Sequence, residues 1–226
     1  MLSPTELKTI IRDQLAGIEI NEEAVQVSAF SLYLALLHFQ KPPAIWQQIK
    51  EGQRLPSLKY QANSIGTGEK FNNLIEANAF DVGEKVNDED VLSKFSSNCA
   101  DVVIGNPPWG TPKPGDKLGE NALQKALDWC KQNNYPVGDK ERSQAFIWRT
   151  LDFLRDEGTA SLLVSTGVFF KHQANSREFR KLWLSSVRLI EVINFSHVRD
   201  IFFSDADSPF ASVVFQKSST VDLHYQ

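Results

Sequence analysis

Asn106-Pro107-Pro108-Trp109 follows directly on the apolar run Asp101-Val102-Val103-Ile104-Gly105, and together the two describe a chemical tool. The run predicts a buried strand. Two prolines stop it abruptly, because neither can donate to a ladder and each fixes its own backbone torsion. A polar amide and an aromatic ring are thereby held at a strand's carboxyl end, which in an open α/β sheet is where ligands bind. The Asn side chain offers a carbonyl acceptor, and the backbone carbonyl of Pro107 offers a second. Two acceptors converging on one point suit an exocyclic amino group, and Trp109 adds a flat surface on which a planar base or amide can stack. The plain alternative is a Pro-Pro turn with a Trp filling a hydrophobic gap. From average residue usage, Asn-Pro-Pro-aromatic arises by chance about once in 10⁵ start positions, and an apolar strand just before it makes coincidence rarer.

Two further groupings have chemical potential. In Gly17-Ile18-Glu19-Ile20-Asn21 an acidic residue stands at the end of a short strand, just before a residue that can cap a helix. Nucleotide-binding α/β folds use such a carboxylate to accept from both ribose hydroxyls, although an ordinary loop carboxylate has the same local sequence. In Leu74-Ile75-Glu76-Ala77-Asn78-Ala79-Phe80-Asp81, Asn78 and Asp81 follow an apolar stretch, and both residue types are also favoured in simple turns. His38, His172, His197 and His224 show no ligand spacing, and no metal site is expected. Cys99 and Cys130 are too few for a disulfide framework and read as buried packing thiols.

The elements that must position these groups alternate along the chain. Ser3-Pro4-Thr5-Glu6 has capping-box spacing and opens a helix to about Leu15. Residues 16–20 predict a strand, and Asn21 caps a helix whose apolar positions recur as far as Phe39. Residues 40–72 read mainly as surface connection. A strand is expected over 74–80, a helix over 88–95, and the strand 100–105 delivers the Asn-Pro-Pro-Trp turn. Beyond it a Pro- and Gly-containing loop over 111–120 leads to a helix over 121–132, then a long amphipathic helix over 141–156 ended by Gly158. A strand over 160–165, a helix over 176–185 and strands over 187–195 and 211–216 complete the series. This rhythm predicts an α/β sheet with helices on both faces, and 226 residues suffice for one domain with its own core.

Composition bounds the partners. A 42% hydrophobic content is ordinary for a globular protein, no stretch reaches the length of a membrane span, and the first fourteen residues carry charges where a signal peptide would be apolar. A cytoplasmic protein is expected. The formal charge of −4 lacks the basic footprint that duplex DNA binding draws on, so a DNA role would take its basic residues from elsewhere.

The Asn106-Pro107-Pro108-Trp109 motif resembles the catalytic motif of amino-group methyltransferases that use S-adenosyl-L-methionine. With the preceding Asp-Val-Val-Ile-Gly, it is similar to the N6-adenine DNA methyltransferases of restriction-modification systems, nearest to the group that combines methylase and restriction functions in one polypeptide. The resemblance implies a Rossmann-like methyltransferase sheet and DNA with a flipped adenine as substrate. It implies that Asn106 and the Pro107 carbonyl accept the N6 hydrogens, with Pro108 stiffening the turn and Trp109 stacking on the base. Gly-Ile-Glu-Ile-Asn-x-x-Ala-Val is similar to the stretch that binds the cofactor ribose, which assigns Glu19 and Ile20 to the cofactor. Asn78, with Asp81 as runner-up, stands where the family reads the cofactor's adenine. Ser143-Gln144-Ala145-Phe146 corresponds to a stretch lining the pocket, and Val198 to Phe203 to a second aromatic wall.

The chain also departs from the family. No Asp/Glu-x-x-x-Gly-x-Gly unit precedes Glu19, and no target-recognition domain or nuclease signature is evident. Residues 1–226 are therefore expected to be one partial methyltransferase catalytic domain, incomplete at its N-terminal strand. Two alternatives stand beside the DNA reading. Enzymes that methylate the side-chain amide of protein glutamine use the same motif, usually with Tyr as its aromatic residue, and a methyltransferase-like fragment can serve as a scaffold or as half of a split enzyme.

Overall fold

The computed structural model describes residues 3–61, 69–203 and 208–218. The chain divides into two compact units, Met1–Phe95 and Ser96–Gln226. Mixed α/β structure with parallel pairing is present in both.

In the first unit, helix α1 (Pro4–Gln14) begins with the expected capping box. The Ser3 side chain accepts from the Glu6 N–H, and the Ser3 N–H donates to the Glu6 carboxylate at 2.7 Å. Strand β1 (Gly17–Glu19) leads through Asn21, whose side chain accepts from the Ala24 N–H, into α2 (Glu22–His38). There follow α3 (Pro42–Lys50), β2 (Ser57–Lys59), β3 (Lys70–Glu76), a 3₁₀ turn over Val82–Glu84 and the short helix α4 (Glu89–Ser93). The three strands form a parallel sheet in the order β1-β3-β2. Central β3 is the best buried, with Phe71, Leu74 and Ile75 packed in the core, and Leu7, Ile11, Val25 and Leu36 cover it from α1 and α2.

Asn73 is the exception inside β3. Its side chain is fully buried, and its amide donates to the carbonyls of Ile11 (2.8 Å) and Leu15 (3.1 Å). Those carbonyls belong to the end of α1, where the last turn has no partners within the helix. One buried amide thus ties α1 to the sheet.

In the second unit, β4 (Ala100–Gly105) is followed by α5 (Lys117–Gln132), α6 (Arg142–Phe153), β5 (Leu154–Ser165), α7 (Gly167–Phe170), α8 (Ala174–Ser186), β6 (Val187–Asn194), α9 (Arg199–Phe202) and β7 (Phe210–Lys217). The sheet order is β4-β5-β7-β6. β4 runs parallel to β5, and β7 is antiparallel to both of its neighbours. Ile147, Trp148, Leu162, Phe179, Trp183, Val213 and Phe215 form the core. β4 lies at the sheet edge, and its Val102 and Ile104 are 66% and 79% exposed, so the expectation of a buried strand is corrected for these two side chains.

Other boundaries also differ from those the sequence predicts. The stretch 40–72 is not mainly connection: it holds α3, β2 and the first residues of β3, with residues 62–68 outside the described set. Pro42 and Pro43 read as breaks, yet they occupy the first helical positions, where a missing N–H costs nothing. β3 ends at Glu76, so Asn78 and Phe80 lie beyond the strand rather than in it. The helix of 141–156 ends at Phe153, because the chain turns extended at Leu154 and pairs with β4 four residues before Gly158. The loop after the turn is shorter than expected, since Asp116 caps α5 by accepting from the Gly119 N–H. Cys130 is buried, whereas Cys99 is only partly so.

Two outcomes follow from this packing. Asn73→Ala removes both donors to the end of α1 and should cost about 1–3 kcal/mol, read as faster hydrogen exchange at the Leu74 and Ile75 amides; unchanged exchange would show that the tie contributes nothing. Burial pushes the Cys130 thiol up to about 12 and raises Cys99 as well, and the thiolate is the reactive form. A disulfide reagent at mildly alkaline pH should therefore modify Cys99 slowly and Cys130 only after unfolding.

Candidate functional site

In the second unit the predicted catalytic residues sit at the carboxyl end of β4. The parallel register sets Gly105 beside Leu162 of β5, and the chain then leaves the sheet at Asn106. Asn106 is exposed, and among the described residues nothing is hydrogen-bonded to its side-chain amide. Pro107 is buried and Pro108 exposed. The Trp109 indole folds back against the sheet, its Nε1–H donating to the Leu163 carbonyl at 3.0 Å.

Aromatic rings fix the Trp109 side chain further. Phe210, at the start of β7 and almost fully buried, stacks on it with centroids 5.0 Å apart and planes at 17°. Phe203 meets it edge to face at 5.8 Å. Phe210 also stacks with Phe195, at 5.3 Å and 15°. Of the stretch 198–203, Phe203 is thus the ring beside Trp109, while Phe202 meets Phe195 and Phe210. Sequence reasoning missed Phe210 and Phe195. They stand 101 and 86 residues from Trp109 by numbering, and no spacing rule connects a ring on β4's turn with one on β7.

The backbone of the turn is held from the start of α6. The Gly110 N–H donates to Glu141 Oε1 at 2.9 Å, while Arg142 donates to the Gly110 carbonyl through Nε (2.9 Å) and to the Trp109 carbonyl through Nη2 (2.8 Å). Lys171 closes the arrangement, 3.2 Å from Glu141 and 2.7 Å from Asp139. Burial pulls the Lys171 ammonium down, but Asp139 and Glu141 outweigh it and the net displacement is upward. Burial lowers the Arg142 guanidinium, against the opposing pull of Asp116 and Glu141. Ser143 and Gln144 are buried rather than lining an open surface. Gln144 accepts from the Gly138 N–H at 2.7 Å, and the Ser143 hydroxyl faces the Ser165 N–H at 3.4 Å.

In the first unit the predicted cofactor residues gather at the carboxyl ends of β1 and β3. Register pairs Glu19 with Glu76, and the Ala77 N–H donates to the Glu19 carbonyl at 3.0 Å, which brings Asn78 to the same sheet end. The Glu19 side chain is exposed, and its Oε1 accepts from the Asn21 N–H at 2.9 Å. Ile20 is 38% exposed. Asn78 uses its side-chain oxygen within its own turn, accepting from the Phe80 N–H at 3.0 Å, and its carbonyl accepts from the Asp81 N–H. Asp81 precedes the 3₁₀ turn. Lys59, which the sequence did not single out, ends β2 nearby and pairs with Glu22 (3.0 Å) and Glu76 (2.9 Å). Among the described residues no cluster of His, Cys, Asp and Glu could hold a metal ion, and no helix is long and apolar enough to cross a membrane.

The Eco57I restriction-modification methylase family matches residues 13–202. The chain belongs to this family. The chain is also similar to solved structures. The M protein of the type I restriction enzyme EcoKI is 13% identical with a TM-score of 0.53, over 96% of this chain and 33% of that one. The ATP-dependent Type ISP restriction-modification enzyme LlaBIII, solved bound to DNA, is 13% identical with a TM-score of 0.57, over 96% of this chain and 15% of that one. The type IIG restriction endonuclease BpuSI is 18% identical with a TM-score of 0.44, over 68% and 17%. The methylase chain thus spans between 15% and 33% of the lengths of these three structures. No curated protein matches it.

The packing of Trp109 separates two substitutions. Trp109→Phe keeps a ring on Phe210 and loses only the bond to the Leu163 carbonyl, at a cost of about 1 kcal/mol. Trp109→Ala removes the stack as well and should cost about 2–4 kcal/mol. Denaturant unfolding of both variants measures the difference; equal midpoints would show that the Phe210 stack adds no stability.

Proposed function

We propose that this methylase transfers a methyl group from S-adenosyl-L-methionine to the N6 amino group of an adenine in DNA, as part of a restriction-modification or phage-defence system, with both units as parts of one catalytic domain. The observation that carries the reading is the Asn106 side chain: an exposed amide without a partner among the described residues, on a turn whose next residues are fixed. A polar group left free beside an over-determined backbone suits a ligand better than it suits stability.

An adenine inside a duplex cannot present its amino group to the site, so it must leave the stack at a cost of a few kcal/mol. The exposed part of the Trp109 ring offsets some of that cost by stacking. Asn106 Oδ1 and the Pro107 carbonyl would accept the two N6 hydrogens, which draws the nitrogen lone pair out of conjugation and orients it. Because the turn that carries these acceptors is held before the base arrives, most of their benefit is orientation.

The residues at the sheet end of the first unit fit the cofactor. Glu19 retains an exposed carboxylate oxygen beyond the one that receives the Asn21 N–H, which suits ribose hydroxyls, and Ile20 adds an apolar contact. The Asn78 oxygen is occupied by its turn, so its amide hydrogens are what it would offer to ring nitrogens, with Asp81 close by in sequence. When bound, the sulfonium group supplies an already activated methyl group, and no metal is needed for that chemistry. Contacts to the DNA backbone would come largely from residues elsewhere in a longer assembly, since the chain's formal charge is −4.

Asn106→Ala in the intact methylase tests the assignment. Methyl transfer to an adenine-containing duplex should fall at least about 100-fold, while cofactor affinity stays within about twofold, because the amide acts only on the reacting nitrogen. Near-normal turnover in the variant would sink the proposal, and transfer to a glutamine-containing peptide in place of DNA would move the substrate to protein.

A further inference from the structure

Glu141 and Arg142 do more than start a helix. Helix N-caps are ordinarily short side chains that reach only their own first turn, whereas Glu141, besides receiving the Ser143 N–H at 3.5 Å, places a carboxylate with 2% exposure against a peptide 31 residues earlier, the Gly110 N–H at 2.9 Å. Arg142 occupies the first helical position of α6, where the helix dipole disfavours a cation. It nevertheless sits there partly buried and spans two successive carbonyls, those of Trp109 and Gly110. A planar guanidinium does this with N–H groups held in a fixed fork, whereas an ammonium is a point donor on a flexible stem.

The peptide they grip is an unusual one. Gly110 has a φ of +60° with no atom within 4 Å of the place a Cβ would take, so backbone conformation rather than lack of space calls for glycine. Its N–H and its carbonyl are both taken by α6, and the carbonyl before it is taken too. Glu141 is in turn fixed by Lys171, itself anchored on Asp139. The aromatic packing holds the Trp109 side chain, but only this set of bonds, among those described, holds the Trp109–Gly110 peptide.

We propose that Glu141 and Arg142 are positioning residues for methyl transfer, gripping the Trp109–Gly110 peptide so that the Asn106 amide and the Trp109 ring keep one placement relative to each other. The inference rests on the reading of the turn as the amino-methylating centre. Neither residue touches the reacting atoms; both act through the backbone that carries those that do. A side chain that must meet its target within a fraction of an ångström needs such a support.

The intact methylase and four variants test this, with Asn106→Ala as the reference. Arg142→Ala and Glu141→Ala should lower kcat about 100-fold with the KM for S-adenosyl-L-methionine unchanged. Glu141→Gln keeps an acceptor for the Gly110 N–H and should recover much of the activity. Arg142→Lys, which keeps the charge but loses the rigid fork that spans the two carbonyls, should recover little. Hydrogen exchange on the 226-residue chain adds a readout that does not need activity: the Gly110 amide and the Trp109 indole N–H should exchange faster in Arg142→Ala, while the Leu162 and Val213 amides keep their protection. Full kcat in Arg142→Ala and Glu141→Ala, beside an inactive Asn106→Ala, overturns the proposal alone. An active Asn106→Ala overturns the reading of the turn and the proposal with it. Loss of protection at Leu162 and Val213 as well would make Arg142 a stabiliser of the fold, and would also overturn it.

Discussion

The carboxyl end of β4 depends on β5. That strand pairs in parallel with β4 through residues 102–105 and antiparallel with β7 along seven successive residues, so its position is set from both sides. One residue past the last β4 partner it presents the Leu163 carbonyl to the Trp109 indole. Through β7 it brings Phe210, which it pairs at Ser165, under the Trp109 ring. The turn is therefore not a loop that happens to be rigid. Two prolines prevent it from continuing the sheet, and the neighbouring strand and its partner determine where it goes instead.

The charges around the turn follow from the same arrangement. Carrying a carboxylate and a guanidinium into a half-buried site costs desolvation, and removing either partner of such a set leaves the other uncompensated. Here each buried charge has more than one partner: Glu141 has a backbone N–H and an ammonium, and Arg142 has two carbonyls. The first unit uses a neutral device for a similar purpose, with Asn73 tying the end of α1 to the middle of the sheet. In both units, polar atoms that could have faced water are spent on fixing backbone.

What the sequence made legible was mostly local. The Ser3–Glu6 capping box and the Asn21 cap were readable because both partners of each bond lie within three residues. The alternation of helices and strands, and with it the α/β class, was readable from periodicity. α3 was hidden because Pro-Pro has two meanings, a stop within an element and a start at its first turn. β2 was hidden for another reason: a three-residue strand exists only through its pairing with β3, and nothing in Ser57-Leu58-Lys59 announces that partner. The Asn106-Pro107-Pro108-Trp109 turn stood out because its chemistry is contiguous. Most of its supports did not, since Glu141, Arg142 and Phe210 reach it only through tertiary structure, and of the stretch 198–203 the sequence left open which ring would stand beside Trp109.

Trp109 shows why packing and function need not be rival explanations of one residue. Its Nε1 and one ring contact are spent inside the protein, which is what a gap-filling side chain would do. It is still only half-buried, and it stands three residues after an amide that is exposed and without a partner among the described residues. A stacking surface that moved with solvent would lose rotational freedom each time it met a planar group, and that loss would weaken the contact. A ring already immobilised by Phe210, Phe203 and the Leu163 carbonyl has lost that freedom on folding. In the proposed reading that packing would serve the exposed part of the indole, and the contrast with Asn106 is structural: the amide has no partner among the described residues, and the ring is fixed in advance.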